Sequence, residues 1–518
     1  MRANSLRTLR TVARCCRVPA LVPRTSKFGV RWLSSDREER QWSTPLAKML
    51  GEAITTTGPI SVAAYMRQCL TAPEGGYYTR QTTDGDQFGA KGDFITSPEI
   101  SQVFGEMVGL WLYTEWLAQG KKDKVQIIEV GPGRGTLMDD VLRTISNFKS
   151  FGRSIEAIYL VEASPHLRKQ QAKLLCGTEE LKQVDIGESA PCKYLPSCDV
   201  NWCEDIRLIP KEATSTPLIL AHEFFDALPI HIFQNVAGSN IPASSTIMTP
   251  TGPIKPKHGP QAPKNQWHEL VVSPTPPPDL PFQSEPEKTH TSTANPPPPD
   301  FELTISKSPT PHSLYLPQTS PRYKALATTP DAIIEISPES LSYISDFAVR
   351  IGGPNTTDTE GKPHTPSGAA LILDYGPLAT IPANTLRGIR HHAPCSPFIT
   401  PGLVDLSADV DFLGLAEGAI KASPSVEVHG PVEQAFFLNT MGIKERAERL
   451  IKAAGQGSGD AEGKDEDETV KRLETGWKRL VDRGPTGMGR IYKAMAIVPY
   501  VPGKGARRPV GFGGDVVA

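Results

Sequence analysis

The sequence predicts an α/β protein built on a parallel, doubly wound sheet. Three observations carry that expectation. Short apolar runs with the length of buried strands recur at 125–130, 157–161, 217–221 and 369–374. Stretches of helical periodicity separate them. A glycine-rich turn, Gly131-Pro132-Gly133-Arg134-Gly135, directly follows the first run and opens a helix. Strands that alternate with helices form parallel sheets, because each crossover needs a helix to bring the chain back to the same end. Ligands of such sheets lie outside the carboxyl ends of the strands.

Each element has its own local reason. Val125 to Val130 is an unbroken apolar run apart from Gln126 and Glu129, as expected of a strand buried on both faces. In the helix after the glycine turn, Leu137, Met138, Val141, Leu142 and Ile145 share one face. Ser164-Pro165 is a helix start, with a capping hydroxyl and then a proline whose missing N–H costs nothing at the first helical position. Upstream, Ser97-Pro98-Glu99 opens another helix. There Ile100, Val103, Phe104, Met107, Val108 and Trp111 form an apolar stripe, and Gly120 is its expected stop.

Composition sets the surroundings. The chain has 518 residues, with 55 Lys and Arg against 57 Asp and Glu. That length fits roughly three domains, or two with a long insertion. No run reaches 18 apolar residues, so no stable membrane insertion is expected. Charge is uneven. Residues 1–33 hold seven arginines and Lys27 and no acid, the composition of a mitochondrial transit peptide. Removing them leaves an acidic body, which argues against a nucleic-acid partner. Of the 49 prolines, 21 fall within 241–330. Polyproline runs there exclude helix and central strand, although Trp267–Val272 and Phe301–Ile305 read as strands of a hairpin. A second low-complexity piece spans 455–468. The expected division is 1–33 transit peptide, 43–120 N-terminal helical cap, 121–235 first half of the catalytic domain, 236–330 proline-rich insertion, 331–500 second half, and 501–518 tail. No CxxC or HExxH motif is present, so no metal site is expected.

The chemistry gathers at the strand ends. The turn reads GxGxG, and Thr136 departs from the GxGxxG spacing of dinucleotide folds. Glycines there let backbone N–H groups approach a ligand at a helix N-terminus. Glu129, just before the turn, suits the amino group of S-adenosylmethionine (SAM), whereas a phosphate cradle would avoid an anion. Gly131, Gly133 and Gly135 are therefore candidate cofactor residues together with Glu129. Glu162 ends the second strand, where a carboxylate can accept two ribose hydroxyls. Asp205 falls near the end of the third strand and is the candidate for adenine. The fourth strand ends in His222-Glu223-Phe224-Phe225-Asp226. His222, Glu223 and Asp226 are the catalytic candidates, with Asp93 and Asp374 behind them.

At these residues the chain resembles the MidA-like (DUF185) SAM-dependent methyltransferases. The matching pieces include GDFITSPEISQVFGE (92–106), IIEVGPGRGTLMDD (127–140), YLVEASPHLR (159–168), AHEFFDALPI (221–230), AALILDYG (369–376) and PGLVDLSADVDF (401–412). They occur in the family's order. The proline-rich insertion and the 455–468 segment depart from it, and bacterial relatives often carry asparagine at position 222. The resemblance implies a class I, Rossmann-like methyltransferase fold with an added helical region, and SAM as cofactor. From its mitochondrial branch it implies protein arginine methylation in the matrix, in the assembly of respiratory complex I, with the quinone-site core subunit as substrate. Two alternatives remain: a non-catalytic assembly chaperone that keeps the fold, which the intact Glu129, Glu162 and HEFFD argue against, and an NAD-linked oxidoreductase, which the GxGxG spacing disfavours.

Overall fold

Nine strands form the main sheet of the computed structural model. They are β1 Val125–Val130, β2 Ile155–Val161, β3 Lys182–Val184, β4 Gly187–Pro191, β5 Asp199–Cys203, β6 Thr216–His222, β7 Ala369–Tyr375, β8 Val426–Glu433 and β9 Tyr492–Pro499. The structure describes residues 40–80, 95–212, 214–240, 264–276, 298–354, 365–454, 468–500, 502–503 and 507–515, with the backbone of 247–249, 252–254 and 464–467. The transit peptide expected over 1–33 lies outside them, as does Asp93. The elements below all belong to one unit, 42–518.

Strand order is β8-β9-β7-β6-β1-β2-β5-β4-β3. The five central strands, β5, β2, β1, β6 and β7, are parallel. β9 inserts antiparallel between β7 and β8. From β1 the chain winds out through β2 to β5 and returns to β6 on the other side of β1. The strand order therefore reverses between β1 and β6, which is where such sheets bind ligands. All six residues of β1 are buried, as its unbroken apolar run requires.

Helices cover both faces. On one, α1 (Gln102–Ala118) and α2 (Thr136–Ile145) pack Phe104, Met107, Trp111, Val141 and Ile145 against the sheet. The five α2 residues expected to face inward are all buried. α3 (Pro165–Cys176) begins as expected, with the Ser164 hydroxyl accepting the Leu167 N–H. On the other face α4 (Pro338–Gly352) contributes Ile344, Phe347 and Ile351. The single helix expected from Ser97 is two. A four-residue turn, Ser97–Ile100, ends where Ser101 adopts extended backbone (φ −157°, ψ 128°), and Ser101 then caps α1. Serine bonds its neighbouring backbone readily enough to interrupt a helix that the apolar spacing alone would continue.

Residues 43–120 divide between two cores. α1 belongs to the main sheet. The helices Pro45–Thr57 and Val62–Thr71 instead pack Leu50, Tyr65 and Met66 against Ile232, Val272 and Phe301. Those last three come from a second sheet, in which Gln266–Pro274 pairs antiparallel with Ile60–Ser61, His231–Val236 and Phe301–Ile305. The two apolar fragments inside the proline-rich segment thus do pair with each other, and they complete a sheet with strands from before and after it. A three-stranded sheet of Arg387–Arg390, Ala393–Cys395 and Asp405–Ser407 brings a further loop beside the main sheet.

At the C-terminal end, 507–515 lies on α1. The Trp111 indole donates to the Val510 carbonyl at 3.1 Å, and Phe512 packs 5.7 Å from Phe437. The Arg507 guanidinium makes two bonds to the fully buried Glu115 carboxylate. Removing one partner of such a pair strands a charge in the interior. Arg507→Ala should therefore lower the unfolding free energy by about 3 kcal/mol, read as a reduced urea midpoint, whereas Arg507→Lys should recover part of the loss.

Candidate active site

The carboxyl ends of β1, β2, β6 and β7 open into one cleft of about 860 Å³. Glu129, Gly131, Gly133, Glu162, His222, Glu223 and Asp226 all line it. These residues come from three strand ends that are far apart in sequence, so the fold itself assembles the site.

The glycine turn is left-handed at three points, with φ of 64° at Gly131, 54° at Gly133 and 84° at Gly135. Gly131 is needed for space as well. A Cβ there would stand 2.6 Å from the Phe224 ring. Gly135 does not reach the cleft. It precedes α2, and a Cβ on it would press on the Gln171 side chain at 3.2 Å, so its role in the structure is close packing of the turn on α3.

Gln171 ties together Gly133 and Glu162, two of the residues expected to hold the cofactor. Its amide N–H₂ donates to the Gly133 carbonyl (2.6 Å) and to Glu162 Oε2 (3.3 Å). Its oxygen accepts from the Trp202 indole at 2.8 Å. Glu162 Oε1 accepts the Ser164 N–H at 2.7 Å. Burial nevertheless lifts its carboxyl to about 7. Glu129 has less support. Its Oε2 is buried without a hydrogen-bond partner, and burial pushes the carboxyl up to about 8.

Asp205 is not brought to this cleft. β5 ends at Cys203, so Glu204 takes the position at the strand end and lines the cleft. Asp205 turns to its own loop, accepting the Arg207 N–H at 2.8 Å and pairing with the Arg207 guanidinium. It borders a separate cavity of about 560 Å³, and Tyr343 borders both.

The β6 end is built around Asp374. That carboxylate is fully buried at the end of β7. Its Oδ2 accepts the N–H groups of Phe224 (3.1 Å), Phe225 (2.9 Å) and Asp226 (3.4 Å), and its Oδ1 accepts that of Tyr375 (2.9 Å). Asp374 thus holds the loop in place, and its lone pairs are committed to that task. Glu223 is fixed from three sides. Its N–H donates to the Leu373 carbonyl (2.9 Å), the Ser97 N–H donates to its Oε1 (3.4 Å), and the Tyr492 hydroxyl bonds its carboxyl. Its φ of 48° is one that non-glycine residues rarely adopt. The His222 Nε2 sits 3.3 Å from Glu223 Oε1, and burial lowers the imidazole to about 3, so the ring is neutral. Asp226 Oδ2 accepts from the Tyr375 hydroxyl, which also lies 2.7 Å from Ser407 Oγ. Its Oδ1 has no partner.

Electrostatically the cleft is acidic. Among the described residues it is lined by eight carboxyl groups and four cationic side chains. Three of those cations are engaged: Arg134 donates to Glu99 at 3.3 Å, Arg387 donates to Asp409 at 2.8 Å with its guanidinium 4.9 Å from the Tyr375 ring, and the Lys493 ammonium donates to the Ile491 carbonyl at 2.9 Å. Burial, and then the charge of Asp226, holds the Glu223 carboxyl well above its usual range. Asp226 is raised by burial as well. Tyr375, Tyr492, Gln171 and Glu204 were not singled out from the sequence. Only Tyr375 has a local signal, as the last residue of the 369–375 strand.

Residues 107–432 match the family described as S-adenosyl-L-methionine-dependent methyltransferases. The mitochondrial protein arginine methyltransferase NDUFAF7 of Mus musculus is 33% identical over 460 residues, covering 88% of this chain and 85% of the mouse protein. The Drosophila melanogaster homolog is 32% identical over 458 residues, at 88% and 85% coverage. The human protein is 31% identical over 467 residues, at 90% and 86%. A crystal structure from Burkholderia thailandensis, bound to S-adenosyl-homocysteine, superposes with a TM-score of 0.58 at 19% identity, covering 91% of this chain and 93% of that one. At that identity it shows the fold, and the fold is that of the class I methyltransferases.

The raised carboxyls set a pH dependence. Glu129 has an ordinary value near 4.5 and a folded value near 8. The proton is held more tightly in the folded state, so the stability it contributes is complete below about pH 4.5 and is lost as pH rises through 8. The melting temperature of the ligand-free protein should fall between pH 5.5 and 8.5. Glu129→Gln should fall less steeply over the same range in a circular-dichroism melt, and an unchanged slope would remove Glu129 as a source.

Proposed function

The chain belongs to the family of S-adenosyl-L-methionine-dependent methyltransferases, and from that membership we propose that it methylates an arginine side chain of a respiratory complex I core subunit in the mitochondrial matrix. The relatives named above are mitochondrial protein arginine methyltransferases, which supports both the target residue and the compartment. The quinone-site core subunit is the proposed substrate. The proposed catalytic domain is split into 121–235 and 331–500 around the segment 236–330, with 43–120 and 501–518 flanking it.

The residues present fit SAM. The orphaned Glu129 Oε2 is an acceptor waiting for a cationic donor, and an ammonium group would draw its proton off. The space that a Cβ at Gly131 would fill keeps the turn open. Glu162 has its Oε2 held by Gln171 and faces the same cleft, placed to accept hydroxyls. When bound, the cofactor supplies an electrophilic methyl group on a sulfonium centre.

The observation that carries the arginine reading is the pair Glu223 and Asp226. Both are buried carboxyls at the floor of the cleft, raised by desolvation, and Asp226 Oδ1 is unpartnered. A buried group of this kind is completed by a cation. A guanidinium, charged at any pH of interest, bonds two carboxylates through its fork of donors. Glu223 and Asp226 would localise its positive charge away from the attacking nitrogen and hold that nitrogen in line. Transfer leaves a methylguanidinium and one proton. Glu223, a stronger base than an ordinary carboxylate, accepts that proton. His222 is neutral and 3.3 Å from Glu223, and acts as a positioning residue.

Glu223→Gln should keep SAM affinity within about twofold while methyl transfer falls about 10²–10⁴-fold, measured with labelled SAM and isolated complex I core subunits followed by mapping of the modified residue. Normal turnover would remove Glu223 from the reaction. Gly131→Val should abolish SAM binding in calorimetry, because the side chain and the Phe224 ring claim the same space. If Glu223→Gln still supports complex I assembly in cells, the protein acts there as a chaperone instead.

A further inference from the structure

A second constellation lies away from the cleft, on the sheet that contains the proline-rich segment. His231 opens the strand His231–Val236, and Glu269 lies on its antiparallel neighbour Gln266–Pro274. The register pairs Glu269 with Phe233, so His231 and Glu269 are diagonal neighbours on one face of the sheet. His312 reaches them from the first turn of the short helix Pro311–Tyr315. None of the three lines the cleft.

We propose that His231, Glu269 and His312 form a binding site for a divalent transition-metal cation of the zinc class. One ligand atom from each lies within 4.8 Å of the other two. His231 Nδ1 is 2.7 Å from Glu269 Oε1, and His312 Nδ1 is 4.0 Å from Glu269 Oε2. The two imidazole rings are 4.2 Å apart. Tetrahedral zinc with bonds of about 2.0–2.1 Å sets its ligands about 3.3 Å apart. The two observed separations bracket that value, and the exposed His312 side chain has the freedom to close the remaining gap.

The chemistry of the donors selects the metal. Two imidazoles and one carboxylate suit zinc and its neighbours, whereas magnesium and calcium prefer oxygen alone. The Thr310 hydroxyl bonds Glu269 Oε2 and also caps the helix that carries His312, accepting the Ser313 N–H at 3.1 Å. Outer hydrogen bonds of this kind orient metal ligands. His231 and Glu269 are buried while the His312 side chain is 54% exposed, so two ligands are fixed, one adjusts, and solvent supplies the remaining coordination. The ion would clamp the 311–315 helix to the sheet.

The test uses the full chain, stripped with a chelator and titrated with zinc chloride. The wild type should take up one tight equivalent and gain several degrees in melting temperature. His312→Ala removes an exposed side chain and leaves the fold intact; it should lose that equivalent, with affinity at least about 100-fold weaker. Glu269→Gln keeps its shape and should do the same. Cobalt(II) should give the visible absorption of a low-symmetry, histidine-ligated site in the wild type and not in either variant. SAM affinity should be unchanged in both, which separates this site from the catalytic cleft. Absence of tight zinc uptake by the wild type overturns the proposal, and so does His312→Ala with the same stoichiometry and melting shift.

Discussion

The site depends on one buried carboxylate that does not line the cleft. Asp374 accepts the backbone N–H groups of Phe224, Phe225 and Asp226 through one oxygen and that of Tyr375 through the other. Three consecutive amides converging on one acceptor define the path of the loop after β6. That path sets where Glu223 and Asp226 stand. It also seats the Phe224 ring against Gly131, so the loop after β6 and the glycine turn have one shared boundary. The parallel pairing of β7 with β6 is what brings position 374 to the loop, and residues about 150 apart in sequence become one unit.

The remaining groups follow from burial. Carboxyls at strand ends lie at the rim of a hydrophobic sheet, where desolvation works against their charge. Glu129, Glu162, Glu223 and Asp226 are all raised for this reason. Each is offset in part by bonds to backbone N–H groups, to Gln171 or to tyrosine hydroxyls, except Glu129, whose raised value has burial as its one cause. Carboxyls raised in this way give up their protons more readily once a cation stands beside them. Both reactants of the proposed arginine methylation are cations, so one electrostatic design would serve both.

Much of this was legible in the sequence where the signal is local. The β1 run, the glycine turn and the α2 face specify a strand, a turn and a helix within 21 residues, and each matches its expected element. Ser164-Pro165 works because a cap is a two-residue event. The acids at strand ends were legible because a charge beside an apolar run is conspicuous. What failed to show depended on contacts across the sheet. Asp205 and Glu204 are adjacent, and only the end of β5 at Cys203 decides which one faces the cleft. Gln171, buried in α3, reads as an ordinary polar helix residue until its bonds to Gly133 and Glu162 are seen. Tyr492 lies in the last strand of the sheet, and its approach to Glu223 follows from the insertion of β9 beside β7. The His231, Glu269 and His312 group has no spacing motif at all, because two strands and a helix supply one residue each.

The left-handed backbone of Glu223 joins these points. A glutamate at φ 48° stores roughly 1–3 kcal/mol of strain, and a loop free to relax would release it. Asp374 on one side and the Leu373 carbonyl on the other prevent that release. The strained conformation directs a carboxylate between His222, Tyr492 and the Ser97 N–H, where an extended backbone would turn it elsewhere. Any change that frees the loop would thus improve the local backbone energy and lose the alignment of Glu223 and Asp226 together. The conformation of the 223–226 loop is therefore imposed by the core of the sheet against the local preference of the chain, and the proposed roles of Glu223 and Asp226 depend on it.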